Sequence, residues 1–135
     1  VALINSSRTP FLPLLILVVP SSIHKRRFQK KETKMTALVV KNFKAAEGKF
    51  EALGDYFKLV LGDTRSFDGC IKVDVYADES TATYTLVEEW ETFSAHDNYV
   101  SWRTDQGDVY ETGELLDGGI DKGLTVYEWG TKTDH

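Results

Sequence analysis

The sequence contains few of the residues that form covalent cross-links or metal sites. Its single cysteine, Cys70, excludes a disulfide within the chain and a cysteine-based zinc site. A small buried apolar residue is the simplest interpretation of it. Of the three histidines, His24 lies in the N-terminal segment and His135 is the last residue. His96 is therefore the only histidine in the main body, and a histidine-rich metal site is not available.

Motifs for nucleotide binding and for serine nucleophiles are also missing. The chain has no G-x-G-x-x-G and no G-x-x-x-x-G-K-[ST], so no phosphate cradle is evident. It also has no G-x-S-x-G nucleophile elbow. The sequence therefore gives no indication of nucleotide-dependent or serine-hydrolase chemistry.

Long apolar runs and a basic main body are absent as well. The apolar run Phe11–Val19 is interrupted by Pro13 and is far shorter than the ~20 residues that cross a bilayer, so no membrane protein is predicted. The net charge of −5 combines +6 on residues 1–34 with −11 on the remainder. Because nucleic-acid binding requires clustered lysine and arginine, the acidic body argues against a nucleic-acid partner.

Residues 1–34 differ from the rest in composition and are predicted to lie outside the fold. They are open to three interpretations: a signal peptide, an organellar transit peptide, or a leader that is not native to the protein. We favour the last, because Met35 stands just before the first strand pattern. Residues 35–135 then form one domain. We expect a cytoplasmic protein, or an organellar one if residues 1–34 are a transit peptide.

Hydrophobic periodicity divides residues 35–135 into strands and helices. Strand patterns cover Thr36–Phe43, Cys70–Ala77, Thr83–Glu91 and Gly123–Trp129. Helical spacing predicts a first helix at Lys44–Gly62 and a second helix that begins at its N-cap, Thr92. After a predicted break at Ser101–Asp105, a weaker helical pattern covers Gln106–Leu116. The order β-α-β-β-α-(α)-β predicts an α+β, ferredoxin-like split βαβ fold with one antiparallel sheet and helices on a single face.

One corner of this fold combines a carboxylate, an indole and an imidazole. Glu88 and Trp90 are two apart on a strand and therefore share a face. In the helix that follows, Phe93, His96 and Val100 have the spacing of one helix face. We therefore expect Glu88, Trp90 and His96 to converge.

Apolar side chains lie on both faces of the predicted sheet. They include Ile71, Val73 and Val75 in the second strand, and Leu124 and Val126 against Tyr127 and Trp129 in the last. Helices on one side leave the second face open, and a monomer would expose a larger apolar patch than is usual. The prediction is a homodimer packed sheet to sheet.

Several motifs carry a resemblance to a known family. They are Asn42 at the end of the first strand, Phe67-Asp68-Gly69-Cys70 before the second strand, Glu88-Glu89-Trp90-Glu91 before the second helix, and Tyr99-Val100-Ser101-Trp102-Arg103 with Gly107 after its start. With these motifs the chain resembles the antibiotic biosynthesis monooxygenase family of dimeric α/β-barrel proteins, over residues 35–129. The resemblance implies a homodimeric barrel with a pocket in each protomer between sheet and helices.

The residue patterns and the resemblance together give a set of candidate site residues, in which Asn42 and Trp90 match the asparagine and tryptophan that haem-degrading and polyketide-oxidising members of the family use. The catalytic candidates are His96 and Glu88 as bases, Asn42 as a hydrogen-bond donor to a substrate oxygen, and Trp90 as an apolar pocket wall. The substrate-binding candidates are Tyr99, Phe57, Tyr84 and Leu86. Structural roles stay open for several of them: a turn cap for Asn42, core packing for Trp90 and His96, and an ion pair with Arg103 for Glu88.

The functional hypothesis is a cofactor-independent monooxygenase that oxidises a quinol-like or other small aromatic substrate with O₂. A deprotonated quinol or phenol can itself reduce O₂, so the protein has to supply a dry pocket and a base. Haem is disfavoured, because haem needs an axial histidine at a fixed place and the family commonly places its helix histidine a few residues beyond His96, near Tyr99 and Val100. The alternative is a non-enzymatic dimeric barrel that binds a small apolar ligand or acts in a stress response.

Overall fold

The computed structural model describes residues 36–130 and 132–135 of the chain. The segment predicted to lie outside the fold, residues 1–34, falls outside these described residues. That prediction and the predicted compartment therefore stay predictions. Within the described part of the chain, no helix combines the length and the apolar character needed to cross a membrane.

The described chain folds into a four-stranded sheet with helices. In order, the elements are β1 (Ala37–Lys44), α1 (Phe50–Ser66), β2 (Cys70–Asp78), a 3-10 turn (Glu79–Thr81), β3 (Thr83–Trp90), α2 (Phe93–Gln106), α3 (Asp108–Glu114), α4 (Gly119–Gly123) and β4 (Leu124–Trp129). The strands pair antiparallel in the order β2-β3-β1-β4. This arrangement is the ferredoxin-like split βαβ, so the predicted α+β fold is confirmed.

The first helix begins and ends later than the sequence predicted. Leu53, Phe57 and Leu61 form its buried face, as their spacing indicated. Gly62 does not end the helix, because its backbone is not left-handed; the chain leaves α1 only at Phe67, where ψ is 143°. A glycine stops a helix when it adopts the left-handed conformation, and at Gly62 it does not.

The second helix runs without interruption through the predicted break at Ser101–Asp105. Thr92 caps its start as predicted, since its Oγ1 accepts a hydrogen bond from the Ala95 amide at 3.0 Å. The helix ends at Gly107, which is left-handed with φ 86°. The predicted helix at Gln106–Leu116 therefore shortens to α3, and α4 was not predicted.

The buried face of α2 differs from the predicted one. Phe93 and Val100 are 37% and 41% exposed, whereas His96 and Tyr99 are buried. The side chains that face the protein interior are His96, Tyr99 and Arg103, which have the same i, i+3, i+7 spacing in another phase. Tyr99 sets this phase, because its ring packs against the Trp90 ring with centroids 5.1 Å apart.

The helix-covered face of the sheet holds the core and two charged side chains. Buried positions alternate along β1 (Ala37, Val39, Lys41, Phe43) and β3 (Leu86, Glu88, Trp90). An apolar cluster around Phe57 and Leu86 includes α1, and a second around Trp90 and Tyr99 includes α2. Lys41 and Glu88 are the charged members of this covered face.

The other face of the sheet carries apolar side chains that the helices do not cover. Strand register aligns Leu38 with Trp129, and Val40 with both Val87 and Tyr127. Tyr127 and Trp129 are about half exposed and stack on each other with ring centroids 5.9 Å apart. We call these five residues the open-face patch.

Candidate active site

A pocket of about 480 Å³ lies between the covered face of the sheet and the helices. Its walls are mainly apolar: Phe57, Val60 and Leu61 of α1, Leu86 of β3, and Leu124 and Val126 of β4 contribute to them. The exposed lining residues belong to α2 and β4, among them Val100 and Val126. The pocket therefore opens between these two elements, and its volume suits a small organic ligand.

Three polar side chains meet in this pocket. Lys41 Nζ lies 3.3 Å from Glu88 Oε2, and both side chains are 10% exposed or less. His96 Nε2 lies 3.9 Å from the other carboxylate oxygen, Glu88 Oε1. All three residues line the pocket. We call them the polar floor.

Strand register places Lys41 and Glu88 together. Lys41 pairs with Leu86, and Val39 with Glu88, across the antiparallel β1–β3 ladder. Side chains of paired residues share a face, and diagonal neighbours are within reach of a long side chain. Lys41 thus reaches the carboxylate two positions along the neighbouring strand.

Trp90 supports the polar floor from behind. Its Nε1 donates a hydrogen bond to Glu88 Oε1 at 2.9 Å, and its side chain is fully buried among Phe67, Tyr99 and Cys70. It is not among the residues that line the pocket. The expectation that Trp90 forms a pocket wall is therefore wrong, because its strand position takes it beneath α2.

His96 is buried without a hydrogen-bond partner. It is 3% exposed, and neither ring nitrogen is bonded to another described residue. Burial, and secondarily the charge of Lys41, lower the pKa of His96 from 6.5 to about 4. At neutral pH the ring is uncharged and offers one N–H donor and one lone pair to a ligand.

The hydroxyl of Tyr99 is already engaged within the protein. It accepts a hydrogen bond from Arg103 Nε at 2.9 Å and shares a second hydrogen bond with the Thr64 hydroxyl at 2.7 Å. Burial raises the pKa of this phenol. Tyr99 lines the pocket, as the sequence predicted. Its hydroxyl is not free to bond a ligand, because it is already hydrogen-bonded within the protein.

Arg103 does not form the ion pair with Glu88 that the sequence analysis left open. Its guanidinium pairs with Asp108 at 2.7 Å and donates to the Val60 carbonyl at 2.7 Å. These bonds tie α2 to α1 and to α3. The ion pair of Glu88 is made with Lys41 instead, because Arg103 lies one turn beyond Tyr99 and away from β3.

Asn42 lies on the opposite face of the sheet from the pocket. Its Oδ1 accepts a hydrogen bond from Thr85 Oγ1 at 2.6 Å, beside the open-face patch. Asn42 does share a face with Leu38 and Val40, as predicted, but the helices cover the alternate residues. The prediction that Asn42 enters the pocket is therefore wrong, and Lys41 takes that place.

The remaining predicted residues divide between two cavities. Phe57 and Leu86 line the main pocket. Tyr84 lines a smaller cavity of about 300 Å³ beside α1 and β2, where its ring stacks on Phe50 at 4.7 Å. The shared face of Tyr84 and Leu86 did not place them in one cavity, because Phe57 stands between the two spaces and lines both.

The fold and the pocket together define a class of protein. It is a ferredoxin-like α+β domain with an apolar pocket between sheet and helices and a buried acid–base group in that pocket. The sequence profile described as antibiotic biosynthesis monooxygenase matches residues 36–103, half of the chain. The chain belongs to the antibiotic biosynthesis monooxygenase family.

Solved structures with the same fold are similar over most of their length. A conserved protein from Methanosarcina mazei Go1 has a TM-score of 0.63 at 21% identity, over 78% of this chain and 99% of that one. A protein named antibiotic biosynthesis monooxygenase has a TM-score of 0.59 at 15% identity, over 69% and 95%. The monooxygenase from the gene ActVA-Orf6 of Streptomyces coelicolor, in complex with nanaomycin D, has a TM-score of 0.60 at 11% identity, over 77% and 94%. A comparison with curated protein sequences gave no significant match.

Proposed function

We propose that this protein is a cofactor-independent monooxygenase that oxidises a quinol-like or other small phenolic substrate with O₂ in the pocket of each protomer. The observation that carries the proposal is the buried, unpartnered imidazole of His96 beside the Glu88 carboxylate in a mainly apolar pocket. Membership of the family supports it. The nanaomycin D complex of the Streptomyces coelicolor monooxygenase supports an aromatic substrate.

The proposed reaction converts a phenol and O₂ into a quinone and water. Loss of the hydroxyl proton gives a phenolate, which is electron-rich enough to reduce O₂. A carbon–oxygen bond then forms between the ring and one oxygen atom. The O–O bond breaks, and the second oxygen atom leaves as water with the two hydrogens taken from the substrate. The substrate is the only reductant, so the proposal includes no cofactor.

His96 is the proposed base in this reaction. Its neutral ring lines the pocket with an unbonded nitrogen, and it would become positively charged on accepting the phenolic proton. The carboxylate of Glu88, 3.9 Å away, would stabilise that charge. Trp90 holds the carboxylate in position through its Nε1 hydrogen bond. The apolar walls would exclude the water that otherwise solvates the reacting groups.

The test is O₂ consumption with a panel of hydroquinones and naphthols, compared between the natural sequence and two matched variants. His96→Gln removes the proposed base, and we expect a loss of about 100-fold or more in kcat/KM, as is typical for a general base. His135→Gln changes an exposed terminal histidine and should leave the rate unchanged. Equal rates for all three proteins would contradict the proposal. Saturable ligand binding without O₂ uptake would favour the non-enzymatic alternative.

We also propose that the protein acts as a homodimer joined through the open-face patch. The patch brings three aliphatic and two aromatic side chains together on a face that the helices leave uncovered. Exposed apolar surface of this kind is usual at interfaces rather than on monomers. A second copy of the same sheet has the matching chemistry.

A further inference from the structure

Lys41 is a buried ammonium whose position needs an explanation beyond folding. Its side chain is 10% exposed, and its one ion-pair partner in the described chain is Glu88 at 3.3 Å. Burying such a pair is no more stabilising than burying apolar residues of similar size, since both ions lose their hydration. A cation placed in an apolar pocket at this cost is suited to receiving negative charge from a ligand.

His96 and Lys41 lie next to different oxygen atoms of the Glu88 carboxylate. Lys41 lies against Oε2, and His96 Nε2 is 3.9 Å from Oε1. This second distance is too long for a hydrogen bond, so the imidazole is not bonded to the carboxylate beside it. The unpartnered imidazole is thus arranged to bind a hydroxyl group that enters the polar floor.

We propose that Lys41 is a catalytic residue that holds the substrate as its phenolate, so that the pocket selects ligands with an ionisable aromatic hydroxyl and binds them hydroxyl first. The proton leaves the hydroxyl oxygen and bonds to His96, and the resulting oxyanion pairs with the Lys41 ammonium. No electron is transferred in this step. The inference rests on the proposed function for its place in catalysis, but the ionisation of a bound phenol requires no O₂.

The two basic residues are coupled through their charges. The charge of Lys41 contributes to the low pKa of His96. A phenolate that pairs with Lys41 offsets that charge, so the affinity of His96 for a proton rises as the oxyanion forms. Deprotonation of the ligand and protonation of His96 therefore favour each other.

The surrounding charges disfavour ligands that are already anionic. Glu88 lies in the pocket, and Asp97 and Glu128 are exposed lining residues. A carboxylate ligand would meet these negative charges on entry and would bring a second carboxylate next to Glu88. A phenol enters neutral and becomes charged only at Lys41. The expected preference is phenol over the matching benzoate or methyl ether.

The experiment uses 4-nitrophenol, whose ionised form alone absorbs visible light, with excess protein under anaerobic conditions. At a pH below the pKa of the free probe, the bound probe should show a ratio of ionised to neutral form about tenfold or more above that of the free probe, as is typical of an opposite charge at close range. 4-Nitroanisole, its methyl ether, should bind at least about tenfold more weakly. A bound probe that stays neutral, or no binding of the probe, would overturn the inference.

Variants assign the effect to Lys41. Lys41→Met should abolish the absorbance change, and the double variant Lys41→Met/Glu88→Gln should do the same without leaving a buried carboxylate unpaired. Lys58→Met, at a lysine whose side chain is 84% exposed on α1, is the matched control and should keep the change. An unaltered absorbance change in a folded Lys41 variant would contradict the assignment. Ionisation of the probe by a protein that consumes no O₂ would refute the proposed monooxygenase and leave this inference standing.

Discussion

At the scale of single residues, the properties of the pocket follow from side chains kept from water. His96 is uncharged because an imidazolium in its site would lose hydration, and its ring nitrogens have no partner among the described residues, since Glu88 Oε1 lies 3.9 Å away. Lys41 stays in the same region because Glu88 balances its charge. Burial and the neighbouring charge of Lys41 therefore keep His96 uncharged at neutral pH.

The lowered pKa of His96 predicts a specific dependence of stability on pH. Between about pH 6.5 and about pH 4 the unfolded chain binds a proton at this histidine and the folded protein does not. Stability is therefore lost as the pH falls through this window. From the difference between the two pKa values, we expect His96 to account for about 2 kcal/mol of that loss between about pH 7 and about pH 4.5.

Urea unfolding at about pH 7 and about pH 4.5 measures this contribution. The His96→Gln protein should lose less stability between the two pH values than the natural sequence, by about 2 kcal/mol. His135→Gln, at an exposed position, should lose as much as the natural sequence. Parallel losses in all three proteins would show that His96 titrates normally in the folded state.

At the scale of the elements, helix ends decide where the pocket residues lie. α2 begins at its Thr92 cap and ends at Gly107, so it presents His96, Tyr99 and Arg103 on one line to the sheet. Two glycines of these helices, Gly62 and Gly107, differ in backbone conformation and therefore in their structural role. Gly62 lies inside α1, while Gly107 is the left-handed terminus that separates α2 from α3.

Alanine substitutions at these two glycines should have opposite effects. A Cβ at either position would meet no atom within 4 Å, so only the backbone differs. Gly62→Ala should stabilise the protein by about 0.5–1 kcal/mol, because alanine is the better residue in a helix interior. Gly107→Ala should destabilise it by about 1 kcal/mol or more, because its φ of 86° is unfavourable for alanine.

Denaturant unfolding of the two variants side by side is the measurement. Far-UV circular dichroism of the folded proteins is the control, since neither substitution should change the helix content measurably. Destabilisation by Gly62→Ala would mean that α1 is not regular at that position. Stabilisation by Gly107→Ala would mean that α2 and α3 are not separated by a left-handed residue.

At the scale of the whole molecule, the sheet has one covered face and one open face. The covered face builds the core and the pocket, and the open-face patch carries Leu38, Val40, Val87, Tyr127 and Trp129. We infer that a second protomer covers this patch. On the same face, the Thr85 hydroxyl already donates a hydrogen bond to the side-chain oxygen of Asn42.

Light scattering should give the natural protein a mass of about twice 15.2 kDa. Val87→Lys places a charge on the β3 side of the patch and should shift the mass toward that of the monomer, because a buried unpaired charge is costly. Leu59→Lys, at an exposed leucine on α1, is the matched control and should leave the mass unchanged. A natural protein that is monomeric at micromolar concentration would contradict the dimer.

The sequence by itself determined the topology and the sharing of faces. The period of 2 in β3 placed Glu88 and Trp90 together, the Thr92 cap located the start of α2, and the order of elements predicted the split βαβ sheet. These features depend on neighbours in the chain, through backbone geometry and local hydrogen bonds. They could therefore be predicted from the sequence without knowledge of the tertiary structure.

Only the tertiary structure decided which face became the pocket. Alternation along β1 separates Asn42 from Lys41, but it does not say which set the helices cover. The packing of α1 and α2 settled that choice, and it also set the phase of α2 that buries Tyr99 and exposes Phe93 and Val100. A lysine in a core strand has no local signal, because its burial depends on Glu88 from another strand. The sequence therefore predicted that Glu88 and His96 meet, but not that Lys41 joins them, because Lys41 reaches Glu88 only through the pairing of β1 with the distant β3.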